Sequence, residues 1–155
     1  MTISSIVTNN HRRGFDICCG ERCFSYPYTE LDIPPSSGNG IVMTWPDEEI
    51  GREGFTYRLA SGEEDTVHID RVLEYLRYPE FMRELMIYKL TVEAIRAVDE
   101  SPLSKRELVR RLGTSASQFY RLLDTTNRTK SIGQLITLLA ATGLEVDFVV
   151  RPPAS

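Results

Sequence analysis

The sequence predicts an α+β protein in which a small β-rich amino-terminal unit precedes a helical domain that ends in a carboxy-terminal strand. Three observations lead there. Residues 16–70 hold aromatic and β-branched runs broken by turn residues. From Arg71 onward, apolar residues recur at three- and four-residue spacing. Near its end the chain reads LEVDFVV, where Leu144, Val146, Phe148 and Val150 alternate with Glu145 and Asp147, the period of a strand with one buried face.

Taken in order, residues 1–15 read as a flexible polar tail, and the first ordered element is expected near Phe15. CFSYPYTELDI (Cys23 to Ile33) has the composition of a strand region, and PPSSGNG (Pro34 to Gly40) that of a loop. IVMTW (Ile41 to Trp45) is an expected strand stopped by Pro46. FTYRLA and TVHID flank SGEED, a hairpin turn containing Gly62. Residues 71–100 are expected to be linking helices. Asp70 would cap the first, Pro79 would end or kink it, and the second would share its end with the domain that follows. In that second helix Ile87, Thr91, Ala94, Ile95 and Val98 fall on one face, and Ser101-Pro102 closes it. No internal repeat is visible.

Composition narrows the function. A chain of 155 residues makes one domain or two small ones, and 41% hydrophobic with 26% charged residues is ordinary for a globular protein. There is no apolar run of about 18 residues, so no membrane partner is expected. The opening MTISSIVTNNHRRGFD carries no signal-peptide core, which makes the expected location cytoplasmic. Cys18, Cys19 and Cys23 crowd into CCGERC, a poor disulfide framework, and are expected to be reduced thiols. They lack the paired spacing of a structural zinc site, so neither metal nor other cofactor is expected. His68 and Asp70 come without a nucleophile motif or phosphate loop, and Glu63, Glu64 and Asp65 read as solvated turn charges, so no enzyme is expected. The net charge of −4 hides a split: residues 1–100 hold 10 basic and 18 acidic residues, residues 101–155 hold 8 and 4. The basic part is where a nucleic-acid partner would bind.

That basic part, residues 101–155, is punctuated three times by Ser-x-x-Glu/Gln: Ser104 with Glu107, Ser115 with Gln118 and Ser131 with Gln134. Each reads as a capping box opening an amphipathic run, and each cap contributes about 1 kcal/mol. Gly113 follows Leu112 where a left-handed residue should end a helix, and only Thr114 separates it from the next cap. So short a connection predicts two helices crossing steeply.

LSKRELVRRLGTSASQFYRLL resembles the helix-turn-helix of lambda-repressor-like and Cro-like regulators, matching at Leu103, Ser104, Glu107, Leu108, Leu112, Gly113, Ser115, Arg121 and Leu122. Val109 and Phe119 are bulkier than that family's usual residues, and the likeness extends over about residues 87–143. The resemblance implies that Ser115 to Leu123 is a recognition helix on double-stranded DNA. Ser115, Ala116, Ser117 and Gln118 would lie at the major groove with Arg121 one turn on, while Lys105, Arg128 and Lys130 would contact phosphates. The final strand is similar to the one through which HipB-like antitoxins dimerise, which implies a homodimer held by Leu144, Val146, Phe148 and Val150. The segment from Tyr120 to Val150 also resembles the carboxy-terminal region of HicB-like antitoxins. The function expected is therefore a DNA-binding transcriptional regulator, a repressor, and an antitoxin whose acidic part binds a basic toxin. The alternative is a protein-interaction module that keeps the helical fold without DNA; the short side chains of Ala116 and Ser117 fit that reading.

Overall fold

In the computed structural model, which describes residues 1–153, every strand pairs only with a near neighbour in sequence. β1 (Ser5–Asn9), β2 (Gly14–Cys19) and β3 (Arg22–Pro27) form one antiparallel meander. β4 (Ile41–Pro46), β5 (Gly54–Leu59) and β6 (Glu64–His68) form a second. Five helices follow: α1 (Ile69–Tyr75), α2 (Pro79–Glu100), α3 (Lys105–Leu112), α4 (Ala116–Leu122) and α5 (Ile132–Ala141). The chain divides into two units, Met1–Phe81 and Met82 onward. No helix among the described residues is long and apolar enough to cross a membrane.

The expected fold, one β-rich unit followed by helices and a closing strand, is corrected by this arrangement: the strands lie in two separate three-stranded sheets. The segment expected to be a flexible tail supplies β1, because Ile3 and Ile6 are buried and anchor an otherwise polar stretch. At the other end, residues 144–150 form no strand in the described chain. Leu144, Phe148 and Val150 are exposed, with no free strand edge paired to them; alternation alone cannot make a strand without a partner. Glu64 and Asp65 belong to β6, opposite Arg58 and Tyr57, rather than to a turn. The cap of α1 is His68, whose Nδ1 accepts from the Asp70 N–H at 3.2 Å, so Asp70 lies inside the first turn instead of before it.

The two meanders repeat one another. Each central strand opens with Gly-Phe, Gly14-Phe15 in β2 and Gly54-Phe55 in β5. The carbonyl just before each glycine accepts from the residue just after the third strand: Tyr28 N–H to Arg13 O at 2.9 Å, and Ile69 N–H to Glu53 O at 2.8 Å. Asn9 Nδ2 donates to Asp16 Oδ2 at 2.9 Å, and Ser25 Oγ to Asp16 Oδ1 at 3.1 Å. At the matching places Thr56 Oγ1 lies 2.6 Å from Asp47 Oδ2 and 2.7 Å from Thr66 Oγ1. Phe15 and Phe55, both fully buried, meet with ring centroids 4.8 Å apart in the core shared by the two sheets. Such a pair contributes about 0.5–1.5 kcal/mol beyond the area it buries.

One cross-strand seat differs between the repeats. Arg58 and Glu64 form an ion pair at 2.6 Å, whereas their counterparts Cys18 and Cys23 are joined as a disulfide. The expectation of three free thiols is thus corrected. The turn at Gly20 and Glu21 sets Cys18 directly opposite Cys23, while Cys19 faces inward as a buried free cysteine whose thiol burial raises above its usual pKa.

The glycines that open β2 and β5 are fixed by close approach. A Cβ on Gly14 would lie 2.6 Å from Tyr26 O, and one on Gly54 2.6 Å from Val67 O. Gly54→Ala is therefore expected to destabilise the amino-terminal unit by about 2 kcal/mol or more through backbone displacement. Urea unfolding followed by the fluorescence of Trp45, the single tryptophan, measures it.

Candidate nucleic-acid interface

All three predicted serines cap their helices. Ser104 Oγ accepts from the Glu107 N–H at 3.1 Å, Ser115 Oγ from Gln118 at 3.2 Å and Ser131 Oγ from Gln134 at 3.4 Å. The returning half of each box is missing among the described residues. The Glu107 carboxylate turns outward instead, accepting from Arg110 Nε at 2.9 Å and Arg111 Nε at 3.2 Å. Those two guanidiniums hold the Glu107 carboxyl down to about 2 and are themselves occupied by it. Gly113 adopts φ 62° at the end of α3, and its N–H returns to Arg110 O, so the chain turns into the Ser115 cap within two residues. Leu108, Phe119, Leu135 and Leu138 are buried together with Ile87, Ala94, Ala97 and Val98 of α2. Burial of each large side chain contributes about 1.5–3 kcal/mol.

This scaffold leaves one face of α4 open. Ala116, Ser117, Gln118 and Arg121 are exposed, and Ser115 is exposed apart from its capping bond. The Gln118 amide makes no hydrogen bond among the described residues, so the capping role anticipated for it leaves the side chain free. It lines a cleft of about 530 Å³ with Gly113, Thr114, Ser131, Gln134 and Thr137. Arg121 reaches Thr129 Oγ1 at 3.4 Å, and Arg128 pairs with Glu84 of α2 at 3.2 Å. Lys105 is exposed with its Nζ 5.9 Å from the ring centroid of Tyr120.

Lys130 is the correction. Expected on a phosphate, it is only 5% exposed. Its Nζ donates to Thr91 Oγ1 at 2.8 Å, Leu122 O at 2.8 Å and Asp124 O at 2.7 Å, which satisfies all three ammonium protons. Burial pushes its pKa below the usual lysine range, and the Asp124 carboxylate opposes that shift. A lysine in a polar loop reads as solvated; here it closes the open carbonyl end of α4.

Of the four residues expected to hold a dimer, Val146 packs partly against the helical core, while Leu144, Phe148 and Val150 face outward. Phe148 is 63% exposed and Val150 97%. The sequence reading missed Tyr120, Thr129 and Glu84. For Tyr120 a signal existed: if Phe119 points inward, its neighbour lies about 100° around the helix, beyond the core stripe.

No family model, curated protein or solved structure matches this chain.

Removing the Lys130 ammonium leaves Leu122 O without its donor and takes one donor from Asp124 O and from the Thr91 hydroxyl, which keep their bonds to the Asn127 N–H and to Ile87 O. Lys130→Ala is expected to destabilise the helical unit by about 2–4 kcal/mol, whereas Arg128→Ala, at an exposed ion pair, should cost no more than about 0.5 kcal/mol. Urea denaturation followed by circular dichroism at the helix band separates the two, and equal midpoints for both variants would refute the role given to Lys130.

Proposed function

We propose that this chain is a cytoplasmic, sequence-specific DNA-binding regulator, a repressor with a lambda-repressor-like helix-turn-helix. The observation that carries the reading is the α3–α4 pair: two capped helices joined across Gly113, presenting the Ala116, Ser117, Gln118 and Arg121 face of α4 to solvent. Small and amphiphilic side chains on one helix face suit base edges in the major groove, where alanine meets a thymine methyl, glutamine an adenine and arginine a guanine. Lys105 and Arg128 flank the face as phosphate ligands, Arg128 by exchanging Glu84 for the backbone. Charge agrees: the unit from Met82 holds 11 basic and 8 acidic residues, the unit before it 7 and 14.

The regulator works as a homodimer in this reading. Leu144, Phe148 and Val150 are apolar, outward and unpaired in the single chain, a surface that a second copy would cover. Phe148→Asp is expected to convert a dimer to a monomer in sedimentation equilibrium. An antitoxin role follows from the acidic amino-terminal unit, which suits a small basic toxin; a pull-down from the host that recovers none counts against it.

A second reading, an interaction module without DNA, has its own support. Glu107 occupies Arg110 and Arg111, and Lys130 is buried, so fewer free cations face outward than the sequence suggests. Fluorescence anisotropy with DNA upstream of the chain's own gene, against a scrambled duplex, separates the readings. The repressor predicts tight binding to the first duplex that weakens steeply with salt, and Arg121→Ala should reduce the discrimination between duplexes about tenfold. Equal, weak binding to both, followed by no enrichment from a random DNA library, would leave the interaction module.

A further inference from the structure

Gln118 and Arg121 give a DNA-reading α4 polar reach, but Ala116 and Ser117 leave it without a large apolar surface. Tyr120 supplies it. It is 54% exposed, the largest outward side chain on α4, and its hydroxyl makes no hydrogen bond among the described residues. Its ring is nonetheless held, edge-to-face with buried Phe119 at 5.5 Å between centroids and with Lys105 Nζ 5.9 Å from its own centroid. A helical side chain covers the turn before its own Cα, which here is the turn of Ala116 and Ser117. Small residues at those two places leave the ring uncovered.

Exposing a large aromatic ring to water is unfavourable, and the helix could have placed a lysine or glutamate there at no cost to the core. A rigid ring with two torsions loses little entropy on contact and offers an apolar edge. The apolar feature that the major groove offers is the thymine 5-methyl group. An ammonium resting on the ring is at the same time placed to meet the phosphate flanking that base.

We infer that Tyr120 is a specificity-determining residue which reads a thymine methyl in the major groove, with Lys105 held over its ring to contact the adjacent phosphate. This rests on the DNA-reading function proposed above. The test uses the full chain and a duplex that it selects from a random library. Each thymine of the selected site is replaced in turn by uracil, which removes only the methyl group. One replacement is expected to weaken wild-type binding about tenfold. Tyr120→Ala should bind the thymine and uracil duplexes alike, and Tyr120→Phe should keep the difference. Circular dichroism checks that the variants fold, and the wild-type uracil series needs no variant. A selected site at which no uracil matters, or a difference that survives in Tyr120→Ala, overturns the role of Tyr120 while the DNA-reading function stands. If the library yields no selected site, the DNA-reading function fails and this role falls with it.

Discussion

The helical unit depends on one buried charge. Taking an ammonium out of water costs several kcal/mol unless every proton finds an acceptor, and Lys130 has three protons and three acceptors. The geometry is demanding. Thr91 can accept from the ammonium because its own hydroxyl proton goes to Ile87 O at 2.7 Å, so α2 is part of the same network. Leu122 O, the last carbonyl of α4, has no helical partner, and Asp124 O, two residues on, takes the ammonium beside the Asn127 N–H at 3.2 Å. One side chain therefore fixes where α4 stops, how the loop from Leu123 runs back, and where Ser131 stands to cap α5. The exposed face of α4 inherits its orientation from a residue on no surface.

The sequence made the local devices of this unit legible and its tertiary ones illegible. Ser104, Gly113, Ser115 and Ser131 could be read because capping is decided within four residues, and the observed bonds lie at those positions. Glu107 shows the limit of that reading. Its pattern fits a capping box, but two arginines one turn away offer charged donors, and a carboxylate prefers them to a neutral N–H. Lys130 was illegible because its acceptors lie 39, 8 and 6 residues away. The face of α4 was half legible: Ala116, Ser117, Gln118 and Arg121 follow from the turn before them, whereas Tyr120 emerges only once Phe119 is known to point inward.

The amino-terminal unit hid its plan more thoroughly. The repeated meander leaves only Gly-Phe in the sequence, because what is conserved between the halves is hydrogen-bond position and not residue type. Asp47 and Thr56 do the work of Asn9 and Asp16, and a salt bridge occupies the seat of a disulfide. Backbone pairing fixes such positions, and side chains of different chemistry then satisfy the same geometric need. The strand expected at Leu144 to Val150 failed for the opposite reason: its pattern was plain, but alternation describes a strand only where an edge exists to receive it.

The closeness of those pairings in sequence bears on how the chain acquires its structure. The most distant strand partners, Ile41 and Leu59, are 18 residues apart, and the other ladders close over shorter loops. Loop closure is then cheap, contact order is low, and each meander can zip as soon as its three strands have been synthesised. Joining the two meanders spans longer separations: Phe15 docks on Phe55, and the Arg52 Nε donates to Ile3 O, 49 residues away, at 2.9 Å. Two meanders, each built from local pairings and then joined through the Phe15–Phe55 contact and the Ile3–Arg52 bonds, with Val72 and Leu73 of α1 closing the same core, give this unit a folding route in which the long-range steps come last.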